Sequence, residues 1–145
     1  MLVAAVAVAI ALAVTTWAGA STPTRASWTT AANGICGAGN AQIRRLPTGT
    51  APTVSVAKFR AIAGIVSREN TKLAMLPRPV SELPNIAFFL SKSRALVPLY
   101  GQAARAAARS DNAAVTRVLI TIKGVLLWRD YTARVLEAPV CAEAW

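Results

Sequence analysis

The groups this sequence offers for chemistry are six carboxylates, two thiols and no imidazole. Without histidine the side chain used most often for acid and base work near neutral pH, and the commonest metal ligand, is missing. That argues against Ser-His-Asp and Cys-His catalysis and against zinc-dependent hydrolysis. A haem or copper site would want histidine or clustered methionine, and the methionines are Met1 and Met75, so no cofactor and no metal are expected. The acids are Glu69, Glu82, Asp111, Asp130, Glu137 and Glu143. Glu69 precedes Lys72 by three residues and Asp130 precedes Arg134 by four, the spacing of solvated pairs on a helix, and Asp111 suits a helix cap. A carboxylate pair for glycoside hydrolysis is the remaining enzymatic reading. No glycine-rich phosphate loop, zinc motif or nucleophile elbow is present. The expectation is a protein that is not an enzyme.

Cys36 and Cys141 lie near opposite ends of the chain and read as one structural disulfide, with two unpaired buried thiols as the alternative. Asn33, Cys36 and Asn40 share one helix face. They could line a cavity, but asparagines beside a disulfide more often satisfy backbone groups of a returning tail. The net charge of +10 and pI near 11.1 direct attention to anionic partners.

From Leu2 to Thr24 no side chain is charged, and Leu2 to Val14 is a dense apolar run. Ala18-Gly-Ala20 follows, the small-x-small pattern that a signal peptidase accepts, so cleavage after Ala20 is expected. The basic residues that ordinarily precede such a run are missing. The alternatives are an uncut anchor, with membrane contact through residues 2–20, and an ordinary buried helix. The division is therefore 1–20 as signal peptide or anchor and 21–145 as one helical domain.

Four helical stripes follow. Trp28, Ala32, Ile35, Gly39, Ile43 and Leu46 mark the first, which stops at Pro47. Its glycines, Gly34, Gly37 and Gly39, suggest close approach by a neighbouring helix. Ser55 or Thr53 caps the second, with Phe59, Ile62, Val66, Leu73 and Leu76 on one seam and Glu69 as its one polar member, ending at Pro77-Arg-Pro79. The third begins near Ser81 and carries Ile86, Phe89, Leu90, Leu96, Val97 and Tyr100, with Pro98 expected to kink it. Ser110-Asp111 stops it and caps the fourth, where Val115, Val118, Leu119, Ile122, Val125 and Leu126 form an apolar face running to about Glu137. No strand pattern is visible.

Four amphipathic helices with short connections predict an all-α, up-down-up-down four-helix bundle preceded by an N-terminal hydrophobic export segment. In that topology the first helix start and the fourth helix end share a pole, within reach of a Cys36 to Cys141 bridge. The opposite pole gathers Arg44, Arg45, Lys58, Arg60, Arg105, Arg109 and Arg117, with only Asp111 opposing them. It is read as a solvated face or an anion-binding surface. Nucleic acid fits poorly, because the pole lacks interleaved aromatics. Anionic lipid or a wall polymer fits an exported protein better.

The run Ala32-Asn-Gly-Ile-Cys-Gly-Ala-Gly-Asn40 to Pro47, the Met75-Leu-Pro-Arg-Pro79 break, the Ala-Arg-Ser-Asp111 turn and the late Cys141 resemble those of small exported alanine-rich helical proteins of high-GC Gram-positive bacteria. The resemblance implies an extracytoplasmic helical protein and transfers no catalytic residue. Two functional readings result. One is a non-catalytic bundle of the cell envelope that binds anionic lipid or wall polymer through its basic pole. The other is a membrane-anchored accessory subunit that docks on a larger envelope protein complex.

Overall fold

The computed structural model describes residues 22–49 and 52–142. The expected export segment, residues 1–20, lies outside the described residues. The rest is helical, with no strand among the described residues.

Helix α1, Arg25–Arg44, opens on a capping box. Ser27 N–H donates to Thr24 Oγ1 at 3.1 Å and Thr24 N–H donates to Ser27 Oγ at 3.0 Å, which satisfies donors that the helix start leaves without partners. Helix α2, Pro52–Ala74, starts earlier than a Thr53 or Ser55 cap would put it. Proline suits a first helical position, since it has no N–H to leave unpaired and its φ is already helical. Arg78 then folds back to donate to Ala74 O at 2.9 Å, covering a carbonyl at the end of α2.

A short 3-10 turn, Val80–Glu82, leads into α3, Leu83–Ala108, so the helix starts two residues beyond Ser81, with Pro84 in its first turn. It continues across Pro98. At its end Ser110 takes a φ of 56°, while Ser110 N–H reaches Ala107 O and Asp111 N–H reaches Ala106 O, both at 3.0 Å. This is a Schellman stop without glycine. Asp111 Oδ1 accepts from Ala114 N–H at 2.9 Å and caps α4, Asn112–Val135, as the sequence suggests. A second Schellman stop, with Glu137 at φ 57° and Ala138 N–H on Ala133 O at 2.8 Å, turns the chain into a C-terminal 3-10 turn, Pro139–Ala142.

The helices alternate in direction. Phe59 near the start of α2 meets Tyr100 late in α3, and Phe88 near the start of α3 meets Trp128 late in α4. The broadest packing is of α3 against α2 and α4, while α1 is held by α2 and by the C-terminal turn. Two apolar clusters fill the interior. One joins Trp28, Ala32, Leu73, Ile86, Phe89, Leu136 and the two cysteines. The other joins Ile43, Ile62, Ile65, Val66, Leu96, Tyr100 and Ile122.

The three glycines of α1 differ in what they do. A Cβ on Gly39 would lie 2.5 Å from the Glu69 carboxyl carbon, and one on Gly37 would make ordinary contact with Val140 at 3.5 Å. Nothing lies within 4 Å of one on Gly34, so close packing does not explain that glycine. Gly34→Ala should therefore stabilise the protein by about 0.5 to 1 kcal/mol through helix propensity alone. Gly39→Ala should instead cost about 1 to 3 kcal/mol, because a buried carboxylate has to move. Thermal unfolding of the two variants checks the opposite signs.

Candidate functional site

Cys36, midway along α1, and Cys141 in the C-terminal turn are bonded, with Cα atoms 5.1 Å apart across 105 residues of sequence. Both are fully buried. Asn40 Nδ2 donates to Val140 O at 2.9 Å, and Asn33 Oδ1 accepts from Val140 N–H at 3.1 Å. The asparagines thus hold both the N–H and the C=O of one tail residue, Val140, beside the bridge, the structural use expected of them. A disulfide of this kind suits an oxidising compartment.

The acids depart from the expected solvated pairs. Glu69 is buried on α2 against Gly39, and its Oε1 has no hydrogen-bond partner. Burial pushes its pKa up from 4.5 to about 7, with Arg129 pulling the other way. Lys72, one helical turn on, is exposed, so the Glu69 to Lys72 pair is replaced by a buried relation to another helix. Asp130 likewise bonds Arg129, Nη1 to Oδ1 at 3.3 Å, and no hydrogen bond or close ion pair joins it to Arg134. Arg129 itself is 2% exposed, with Nε donating to Ser93 Oγ at 3.2 Å and its guanidinium 5.5 Å from the Phe89 ring centre. Desolvation lowers its pKa while Glu69 and Asp130 oppose that shift. Burial also pushes the Tyr100 hydroxyl up to about 12. At the other pole Glu82 accepts from Asn85 Nδ2 at 3.1 Å and from Arg25 Nε at 2.8 Å, bonds that hold its carboxyl below the usual range. Arg25 also reaches Glu137 at 3.1 Å. With Asp111 at the α4 cap, each of the five described carboxylates packs, caps or pairs within the bundle.

Of the basic residues expected at one pole, four stand at helix ends, and Lys58, Arg60 and Arg117 lie within the first three turns of α2 and α4. Arg44 and Lys58 line a 210 Å³ recess with Ile43, Leu46, Ile62 and Tyr100. Arg45 and Arg60 line a wider groove of about 470 Å³ between α1 and α2. Arg68 shares that groove, with its guanidinium laid back over Gly64. Arg105 and Arg109 close α3, and Arg117 stands in the second turn of α4. Arg44, Arg45, Arg105 and Arg109 stand at helix C-termini, where cations complement the backbone dipole. Guanidinium groups on both sides of a groove can hold phosphate or carboxylate oxygens in paired bonds.

Among the described residues no group of three histidine, cysteine or acidic side chains is placed to hold a metal ion. No helix of the described residues is long and apolar enough to cross a membrane. No protein-family model matches the chain, and no curated protein or solved structure is significantly similar to it.

Three features escape sequence reasoning. Arg68 is one, since its part in the groove depends on α1 lying beside it. Arg129 is another, although it stands in phase with Ile122, Leu126 and Ala133 on the inward face of α4, a signal that was legible. The third is an exposed apolar crest on the outer side of that helix.

Proposed function

We propose that this is a non-catalytic helical bundle of the cell envelope, exported by its N-terminal segment and held by one disulfide, that binds an anionic polymer through its basic pole. The observation that carries the reading is the groove between α1 and α2, which Arg45, Arg60 and Arg68 line and where no ion pair among the described residues engages them. Supporting it, the described carboxylates are used in caps, pairs or the interior. The reading takes Arg44, Arg45, Lys58, Arg60, Arg105, Arg109 and Arg117 as the anion-binding set, with Arg68 added.

The test compares two triple variants of equal charge. R45Q/R60Q/R68Q removes the groove cations, and K72Q/R78Q/R94Q removes three others. Titration with poly(glycerol phosphate), a wall-polymer probe, should show the first variant weakened about tenfold or more and the second within about threefold of the parent, as expected for short-range charge contacts. Equal weakening would mean that only total charge matters. No binding by the parent at physiological salt would overturn the reading.

A further inference from the structure

The outer side of α4 carries large apolar side chains that the bundle leaves mostly exposed. Ile122, Arg129 and Ala133 face inward, and on the opposite side Ile120, Leu127 and Tyr131 are 67%, 64% and 63% exposed. Trp128, 58% exposed, extends this crest toward α3, where its ring meets Phe88 edge to face at 6.4 Å. Tyr131 packs on Trp128 at 6.3 Å, and Lys92 Nζ stands 4.9 Å from the Phe88 ring centre. A helix apolar on both sides is ordinarily buried on both, and a contiguous exposed aromatic patch marks an interaction surface.

We infer that the α4 crest docks on an anionic lipid bilayer, lying in the headgroup region with Leu127, Trp128 and Tyr131 inserted. Charge complementarity selects the occupant. Arg117, Lys123 and Arg134 are exposed along the flanks of the crest, and Lys92 caps its α3 side. The one acid beside it among the described residues, Asp130, is half-buried and bonded to Arg129. A second copy of this chain would set these cations against their own duplicates, a repulsive arrangement. An anionic headgroup layer meets them with opposite charge, each basic residue adding attraction within a Debye length. Tryptophan and tyrosine have an apolar body and a polar tip suited to that boundary. The crest shares Arg117 with the basic pole but no residue with the groove of Arg45, Arg60 and Arg68, so either proposal can fail without the other.

The test reads Trp128 in the full chain. With 5-fluorotryptophan incorporated, the fluorine resonances are assigned by Trp128→Phe. Bicelles of phosphatidylglycerol and phosphatidylcholine carrying a headgroup-region spin label should then broaden the Trp128 signal and leave that of buried Trp28 sharp. Leu127→Ser with Trp128→Ser, both at exposed positions, should lower partition into phosphatidylglycerol vesicles by about tenfold or more while leaving poly(glycerol phosphate) binding unchanged. The inference is overturned if the chain binds the bicelles with Trp128 unaffected, which would place the contact elsewhere. It is equally overturned if the double variant partitions like the parent. A Trp128 shift that follows protein concentration without lipid would assign the crest to a second copy instead.

Discussion

Replacing Arg129 with methionine is expected to lower stability by about 3 to 5 kcal/mol above about pH 8, the usual cost of removing one member of a buried ionic group and leaving the others behind. Methionine fills much of the same volume, so the loss reports charge rather than a cavity. The groups left behind are Glu69, 6% exposed with one oxygen unbonded, and Asp130, which bonds the guanidinium. Adding Glu69→Gln to the Arg129→Met variant should recover about 2 kcal/mol, since an amide is far easier to bury than a carboxylate. Urea unfolding followed by circular dichroism measures both. A loss below about 1 kcal/mol would show that the carboxylates find other partners.

The same group sets a pH dependence with a definite sign. Burial raises the folded pKa of Glu69 from 4.5 to about 7, so the folded protein holds this proton more tightly than the unfolded chain. Its contribution is therefore most favourable below about pH 4.5, falls as pH rises toward 7, and levels off above that. The total change is about 3 kcal/mol. No histidine titrates in this window to mask it. Glu69→Gln should flatten the profile between those limits, and an unchanged profile would contradict the buried state of this carboxyl.

Removal of the bridge has the second large effect. Cys36→Ala with Cys141→Ala should cost about 2 to 5 kcal/mol, as expected when a loop of roughly 100 residues is no longer closed in the unfolded chain. The loop runs across 105 residues, and the native tail keeps its clamp, with Asn33 and Asn40 still bonded to Val140. Helix content should thus be unchanged in dilute buffer while the urea midpoint falls. A midpoint equal to that of the parent would show that the tail clamp alone sets the stability.

How much of this was legible depends on the range of the interaction. The four helices, the Asp111 cap and the proline breaks could be read because they follow from periodicity and backbone geometry within a few residues. The use of Asn33 and Asn40 was legible too, since their spacing puts them on one face with Cys36. Glu69 was visible as the polar member of an apolar seam, yet assigned to Lys72, because sequence shows which way a side chain faces and not what comes across to meet it. On α4 the stripe of Val115, Val118, Ile122, Val125 and Leu126 already satisfies the packing requirement of a helix, so a second apolar face carries no further packing signal. Ile120, Leu127 and Tyr131 form a second face in the same period.

The sequence by itself therefore determined the helical elements, their approximate ends, the residues of the disulfide and the excess of positive charge, all properties of composition or of neighbours along the chain. Only the tertiary structure decided that Glu69 answers to Arg129, that Arg68 joins Arg45 and Arg60, that Gly39 yields its space to a carboxylate while Gly34 yields none, and that α4 keeps an apolar side uncovered. Each of these depends on the lateral position of one helix against another, which is set by the packing of whole faces and leaves no mark in the spacing of residues along either helix.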